Sequence, residues 1–146
     1  MKILEGDVNS HYDFSSDVMS LDWNPKKAKE KLKKVAEEMV CDVLLDQDIF
    51  SGVGNIIKNE VLYRIGVHPE SIIGRLPAMK VKRLLEEARL YSFDFLEWKR
   101  QYELKKHWLA HTKKICLRCD LPIINKYTGG KQRRSFFCLK CQKLYA

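Results

Sequence analysis

Cys116-Leu117-Arg118-Cys119, eighteen residues, then Cys138-Leu139-Lys140-Cys141 is the stretch that decides how this chain is read. Each Cys-x-x-Cys pair places two thiolates on one tight turn. Together the two pairs complete a tetrahedral zinc shell, with Zn–S bonds of about 2.3 Å. Between them lies Tyr127-Thr128-Gly129-Gly130-Lys131-Gln132-Arg133-Arg134-Ser135-Phe136-Phe137. A Gly-Gly step between two candidate strands predicts a hairpin, because glycine tolerates the positive φ of tight hairpin turns. The local expectation is a zinc-clipped β-hairpin that carries Arg133 and Arg134 near its tip. Five cysteines without an apolar signal segment favour reduced thiols and metal binding over a disulfide framework. The fifth, Cys41, sits in an apolar run and reads as a small buried hydrophobe.

Composition narrows the class further. At 146 residues and 45% hydrophobic content, the chain can form one domain of ordinary size, or a modest domain with an appendage. No stretch approaches the length of a membrane span, so the expected setting is cytoplasmic, nucleoid-associated in a bacterium, with no membrane partner. The net charge of +8 is unevenly placed. Nine Lys/Arg and the single acid Asp120 fall between His111 and Ala146, while basic and acidic residues balance in the first 110. A bound zinc with four thiolates would leave this quarter at about +6. Charge this concentrated suits a polyanion.

Upstream the pattern is helical. Residues 1–23 form a lead-in with little periodicity, and its His11 carries no chemistry by itself. Asn24-Pro25 is a helix start, Asn as N-cap and Pro at the first helical position. Ala28, Leu32, Val35, Ala36, Met39 and Val40 then predict one amphipathic helix with a solvated lysine face. A short helical segment over Asp42–Gln47 leads through Ser51-Gly52-Val53-Gly54-Asn55 into a second helix, which closes at Gly66. Two helices joined by a Gly-x-Gly turn form a helix-turn-helix-like hairpin. Its second helix starts at Asn55 with unpaired N–H groups, a natural phosphate site. Pro77 opens a further helix, and Ser92 is expected to cap another, with Phe95, Trp98 and Tyr102 on one core-facing side. His107 and His111, four apart, are expected to share a helix face; four cysteines already saturate a structural zinc.

Leu44-Leu45-Asp46-Gln47, Gly52 to Ile57 and Asn59-Glu60-Val61-Leu62 resemble the helix–two-turn–helix signature of the formamidopyrimidine-DNA glycosylase and endonuclease VIII family. Arg133 to Gln142 resembles that family's C-terminal zinc finger, down to the Gln after the last Cys. The resemblance spans roughly Trp23 to Tyr145. It implies a mainly α fold, in which a helical domain is followed by a small zinc-bound β-hairpin. The division is a lead-in over 1–23, a DNA-binding helical domain over 24–112 and a zinc-finger hairpin over 113–146. It implies one structural Zn²⁺ on Cys116, Cys119, Cys138 and Cys141, and double-stranded damaged DNA as partner. Gly54 and Asn55 would meet a phosphate, with Lys58 from the same turn a weaker candidate. Arg133 matches the finger arginine, and Arg134 replaces a usually small residue, which leaves open which guanidinium reaches DNA.

The family's chemistry is carried by an N-terminal domain whose first residue, a proline, attacks the sugar C1′ beside a Glu. This sequence starts Met1-Lys2-Ile3-Leu4-Glu5, so no catalytic residue carries over. The expectation is a monomeric DNA-gripping half that is inactive alone, with a catalytic N-terminal domain in the full-length protein. A free-standing accessory DNA-binding protein and a zinc protein of the ribosome or an RNA complex are the alternatives.

Overall fold

A computed structural model describes residues 14–146, and His11 lies outside the described residues. Helix α1, Pro25–Lys34, begins as its sequence dictates: the Asn24 side chain accepts from the N–H groups of Lys26 and Lys27. It buries Ala28 and Leu32 and turns its lysines outward, except Lys31, whose ammonium bonds Ser16 Oγ and Asp48 O at 2.7 Å each. The predicted continuation to Val40 does not form. Residues 36–41 bond another segment instead: Ala36 O accepts from Gly74 N, Glu38 O from Ile73 N, and Val40 N donates to Ser71 O. These long-range main-chain bonds outcompete another helical turn, because they satisfy the backbone while bringing residues 69–74 against the core.

Helix α2, Val40–Leu44, is shorter and earlier than the sequence pattern indicated, and all but Asp42 of its residues are buried. Gln47 then organises the turn that follows. Its carboxamide accepts from Gly52 N at 2.9 Å and donates to Val53 O at 3.0 Å. Helix α3, Asn55–Ile65, closes on Gly66 in the left-handed region, as expected. It is buried nearly all round, which marks it as the central element of the fold. Helix α4, Ala78–Arg100, follows Pro77 and runs unbroken. Ser92 therefore caps nothing. It lies in the helix interior, and its hydroxyl donates to Ala88 O at 2.6 Å, the back-bonding that lets serine sit inside a helix. Phe95 and Trp98 pack against the core, but Tyr102 lies past the helix end and is 96% exposed.

The chain ends in the predicted hairpin. Strands β1, Ile124–Thr128, and β2, Arg133–Phe137, pair antiparallel with Thr128 opposite Arg133 and Ile124 opposite Phe137. Beyond the last cysteine the tail runs back over the helical part: Val67 bridges Lys143, and Ile72 N donates to Tyr145 O at 2.7 Å. Two apolar clusters result. One joins the four helices; the other gathers Ala110, Ile123, Phe136, Cys116 and Cys138 around Tyr63 of α3.

Candidate nucleic-acid interface and metal centre

The four knuckle cysteines converge, with Sγ atoms all within 4.8 Å of one another and Cys116 and Cys141 Sγ at 3.8 Å. A tetrahedral thiolate shell with metal–sulfur bonds of about 2.3 Å has sulfur–sulfur edges of about 3.8 Å. The donor set therefore fits a single tetrahedral metal ion. Its surroundings fit as well. Arg118 lays its guanidinium over the Tyr63 ring at 3.8 Å, donates to Tyr63 O and reaches Cys141 Sγ at 3.3 Å. That cation would offset the excess negative charge of four thiolates around a dication. Burial pushes the Cys116 thiol up, but hydrogen bonds from the Tyr63 hydroxyl, 3.1 Å away, and from the Cys119 and Arg118 N–H groups bring it down to about 6. Gln142 closes the second knuckle: its Oε1 accepts from Cys138 N at 2.8 Å and its Nε2 donates to Val67 O at 3.0 Å.

Helix α3 grips the hairpin and the segment that precedes it through three consecutive buried polar residues. The Glu60 carboxylate, fully buried, accepts from the N–H groups of Leu109, Ala110 and His111, each at 2.8 Å. Asn59 Nδ2 donates to His111 Nδ1 at 3.0 Å and to Arg134 O at 3.3 Å. Lys58, 0% exposed, donates to Ser135 Oγ at 2.8 Å and reaches Arg134 O at 3.4 Å. The Lys58 ammonium, expected at the surface as a weaker phosphate candidate, thus lies buried beneath β2. Burial, with Arg133 adding a like charge, lowers its pKa to about 8, against the opposing effect of Cys41 and Asp42. The hairpin tip is held separately, by the Asp42 carboxylate accepting from Gly130 N at 2.8 Å and Lys131 N at 3.0 Å.

What faces outward is the start of α3. Gly54 caps it without a side chain, and the first intrahelical bond runs from Lys58 N to Gly54 O. The N–H groups of Asn55, Ile56 and Ile57 accordingly have no acceptor within the helix. Nothing stands within 4 Å of where a Gly54 Cβ would be, so the approach is open. The Asn55 carboxamide donates to Arg134 O at 3.0 Å, which ties the start of α3 to the hairpin. Arg134 O is a hub for Asn55, Asn59 and Lys58. Of the two candidate arginines, Arg134 is engaged by Tyr127, through a 3.1 Å hydrogen bond and a ring 5.1 Å away. Arg133 is exposed, and among the described residues its guanidinium makes no hydrogen bond or ion pair. His107 and His111 do not share a face: His107 stacks on Trp98 at 3.9 Å, and His111 meets Asn59 and Phe136.

Three of these residues carry signals in the sequence that periodicity does not decode. Lys58-Asn59-Glu60 interrupts an apolar run in a helix with no polar face to spare, and such a triplet must find partners elsewhere. Asp42 gives no local sign, since its partners lie 88 and 89 residues away.

The sequence profile of the formamidopyrimidine-DNA glycosylase H2TH domain matches residues 14–90. Endonuclease 8-like 3 of Xenopus laevis is 37% identical over 128 residues, covering 87% of this chain and 21% of that protein. Endonuclease 8-like 2 of Bos taurus is 35% identical over 130 residues, covering 88% of this chain and 39% of its own length. The chain thus spans about a fifth to two fifths of these relatives. The fold matches the Lactococcus lactis Fpg solved with abasic-site DNA at a TM-score of 0.79 and 22% identity, over 97% of this chain and 55% of that one. A viral DNA glycosylase matches at a TM-score of 0.79 and 21% identity, over 95% and 54%.

Proposed function

The chain belongs to the family of the formamidopyrimidine-DNA glycosylase H2TH domain, and from that premise we propose that it is the DNA-gripping half of a base-excision DNA glycosylase/AP lyase. One observation carries the reading: the amide-bearing start of α3 and the hairpin with Arg133 are pinned to each other through the Arg134 carbonyl. Two phosphate contacts, one from main-chain N–H groups and one from a guanidinium, then act as a single preformed clamp on duplex DNA. Phosphate contacts fix position and register without reading sequence. Such a clamp suits an enzyme that must hold a duplex while one nucleotide is extruded, a step that costs a few kcal/mol. Zn²⁺ is the metal that best fits four cysteines in two Cys-x-x-Cys knuckles; Cys116, Cys119, Cys138 and Cys141 would hold it, and it would supply folding free energy to the hairpin.

The test is binding of this chain to duplex DNA containing an abasic site, measured across a salt series. Replacing the exposed guanidinium, Arg133→Ala, should weaken binding and lower the salt slope by about 0.9, as the loss of one phosphate contact requires. An unchanged slope sinks the assignment of Arg133. A preference for structured RNA over the duplex in direct competition would replace the repair reading with an RNA-binding one.

A further inference from the structure

We infer that Lys58 is a positioning residue that aims Arg133 at the DNA backbone from beneath, although its own ammonium never reaches the surface. The inference rests on the DNA-clamp reading above and adds a component to it. Three donors of α3 converge on Arg134 O, but only Lys58 is charged, and only Lys58 also bonds a side chain of the same strand, Ser135 Oγ at 2.8 Å. Ser135 Oγ is in turn 2.7 Å from Thr128 Oγ1 on β1, so the ammonium reaches both strands through one chain of hydrogen bonds. Arg133 is the residue before this anchored carbonyl and opens β2. The repulsion between Lys58 and Arg133 adds direction. A positive charge fixed under the strand drives the neighbouring guanidinium outward, where a phosphate can neutralise it.

A buried ammonium is an expensive strut. A methionine of similar length would fill the same space without desolvation cost, and replacing buried charge with apolar groups is often neutral or stabilising. Hydrogen bonds from a charged ammonium are shorter and stronger than those of a neutral amine, so the strand that carries Arg133 is held more firmly from beneath. The charged and titratable groups around Lys58 are Cys41 and Asp42 on α2, Arg133 on β2 and His111 in the segment after α4. The one histidine and the one thiol shift away from Lys58: burial lowers His111 below its usual 6.5 and raises Cys41 above its usual 9.0. The sign for stability is fixed by the lowered value. The folded state binds fewer protons than the unfolded state between about pH 8 and 10.5, so stability rises with pH through that window.

A double-mutant cycle on duplex DNA with an abasic site tests the inference, using Lys58→Met, Arg133→Ala and the pair. Circular dichroism and metal content first establish that Lys58→Met is folded and loaded. Its melting temperature should equal or exceed that of wild type at pH 7, with the gap closing towards pH 10. Lys58→Met should then lower the salt slope although it removes no surface charge, and Arg133→Ala should cost less in that background than in wild type. Wild-type affinity should fall as pH rises from 7 to 9, while that of Lys58→Met stays flat. Lys58→Arg, which keeps the charge, should recover part of the slope. Additive effects of the two substitutions, or matching pH profiles, overturn the positioning role. If Arg133→Ala alone leaves the slope unchanged, the clamp reading has failed instead. Should Lys58→Met not fold, the pH profile of wild type decides: affinity constant from pH 7 to 9 overturns the inference.

Discussion

At the scale of residues, the most consequential side chain is Glu60, which is fully buried. Its two oxygens take three main-chain N–H groups of residues 109–111, the point where the helical part hands over to the knuckles. Each bond has a charged acceptor, and removing the carboxylate strands three buried donors at once. Glu60→Ala should destabilise the protein by roughly 3–5 kcal/mol, and Glu60→Gln by less, since one amide oxygen can still accept. Urea unfolding reads both; a midpoint shift under 1 kcal/mol for the alanine variant would show that water replaces the carboxylate. The sequence displays Glu60 inside a recognisable signature, but its task depends on which residues fold back over it. The same holds for Asn55. Its place at the start of α3 is legible, whereas the engagement of its carboxamide by a carbonyl 79 residues away is not.

At the scale of elements, the hairpin is positioned by its two ends rather than by its own two strands. Two strands alone are marginal in water. Here the knuckles fix the base, and Asp42 in the middle of α2 fixes the tip through Gly130 N and Lys131 N. Gly129 is required at this contact twice over, because its φ of 71° is left-handed and a Cβ there would fall on the Asp42 carboxylate. Asp42→Ala should leave the helices intact while amide exchange at Gly130 and Lys131 accelerates by about tenfold, the loss of one to two hydrogen bonds' worth of protection. Unaltered exchange there would place the tip's order elsewhere. The elements that the sequence pattern misplaces err for one reason: α1 stops at Lys34 because residues 36–41 find main-chain partners at 69–74, and hydrophobic periodicity contains no information about partners across the fold.

At the scale of the whole molecule, α3 is shared by two apolar clusters, one joining the four helices with the loops around them and one built on the knuckle cysteines. Stripping the metal should therefore collapse the second cluster and spare most of the first. Chelation, or Cys138→Ser, should abolish hairpin NMR resonances and DNA binding while retaining most of the helical circular dichroism, since structural metal binding is itself folding free energy. Complete unfolding in one step would instead show that Tyr63 and Glu60 make the two clusters a single cooperative unit. No described helix is long and apolar enough to cross a membrane. The sequence by itself determined what local chemistry controls: the two cysteine knuckles, the Gly-Gly hairpin turn, the caps at Asn24 and Gly66, and the concentration of charge in the last quarter. These depend on residue type and short spacing, which a linear chain states outright. Only the tertiary structure decided that the Lys58 ammonium lies buried beneath β2, that among the described residues the Arg134 guanidinium is engaged while that of Arg133 is not, and that Asn55, Lys58 and Asn59 meet at one carbonyl. The physical reason is that burial and hydrogen-bond partnership are properties of what arrives from far along the chain. A lysine in a Gly-x-Gly turn helix has the same sequence signature whether water or a β-strand lies above it.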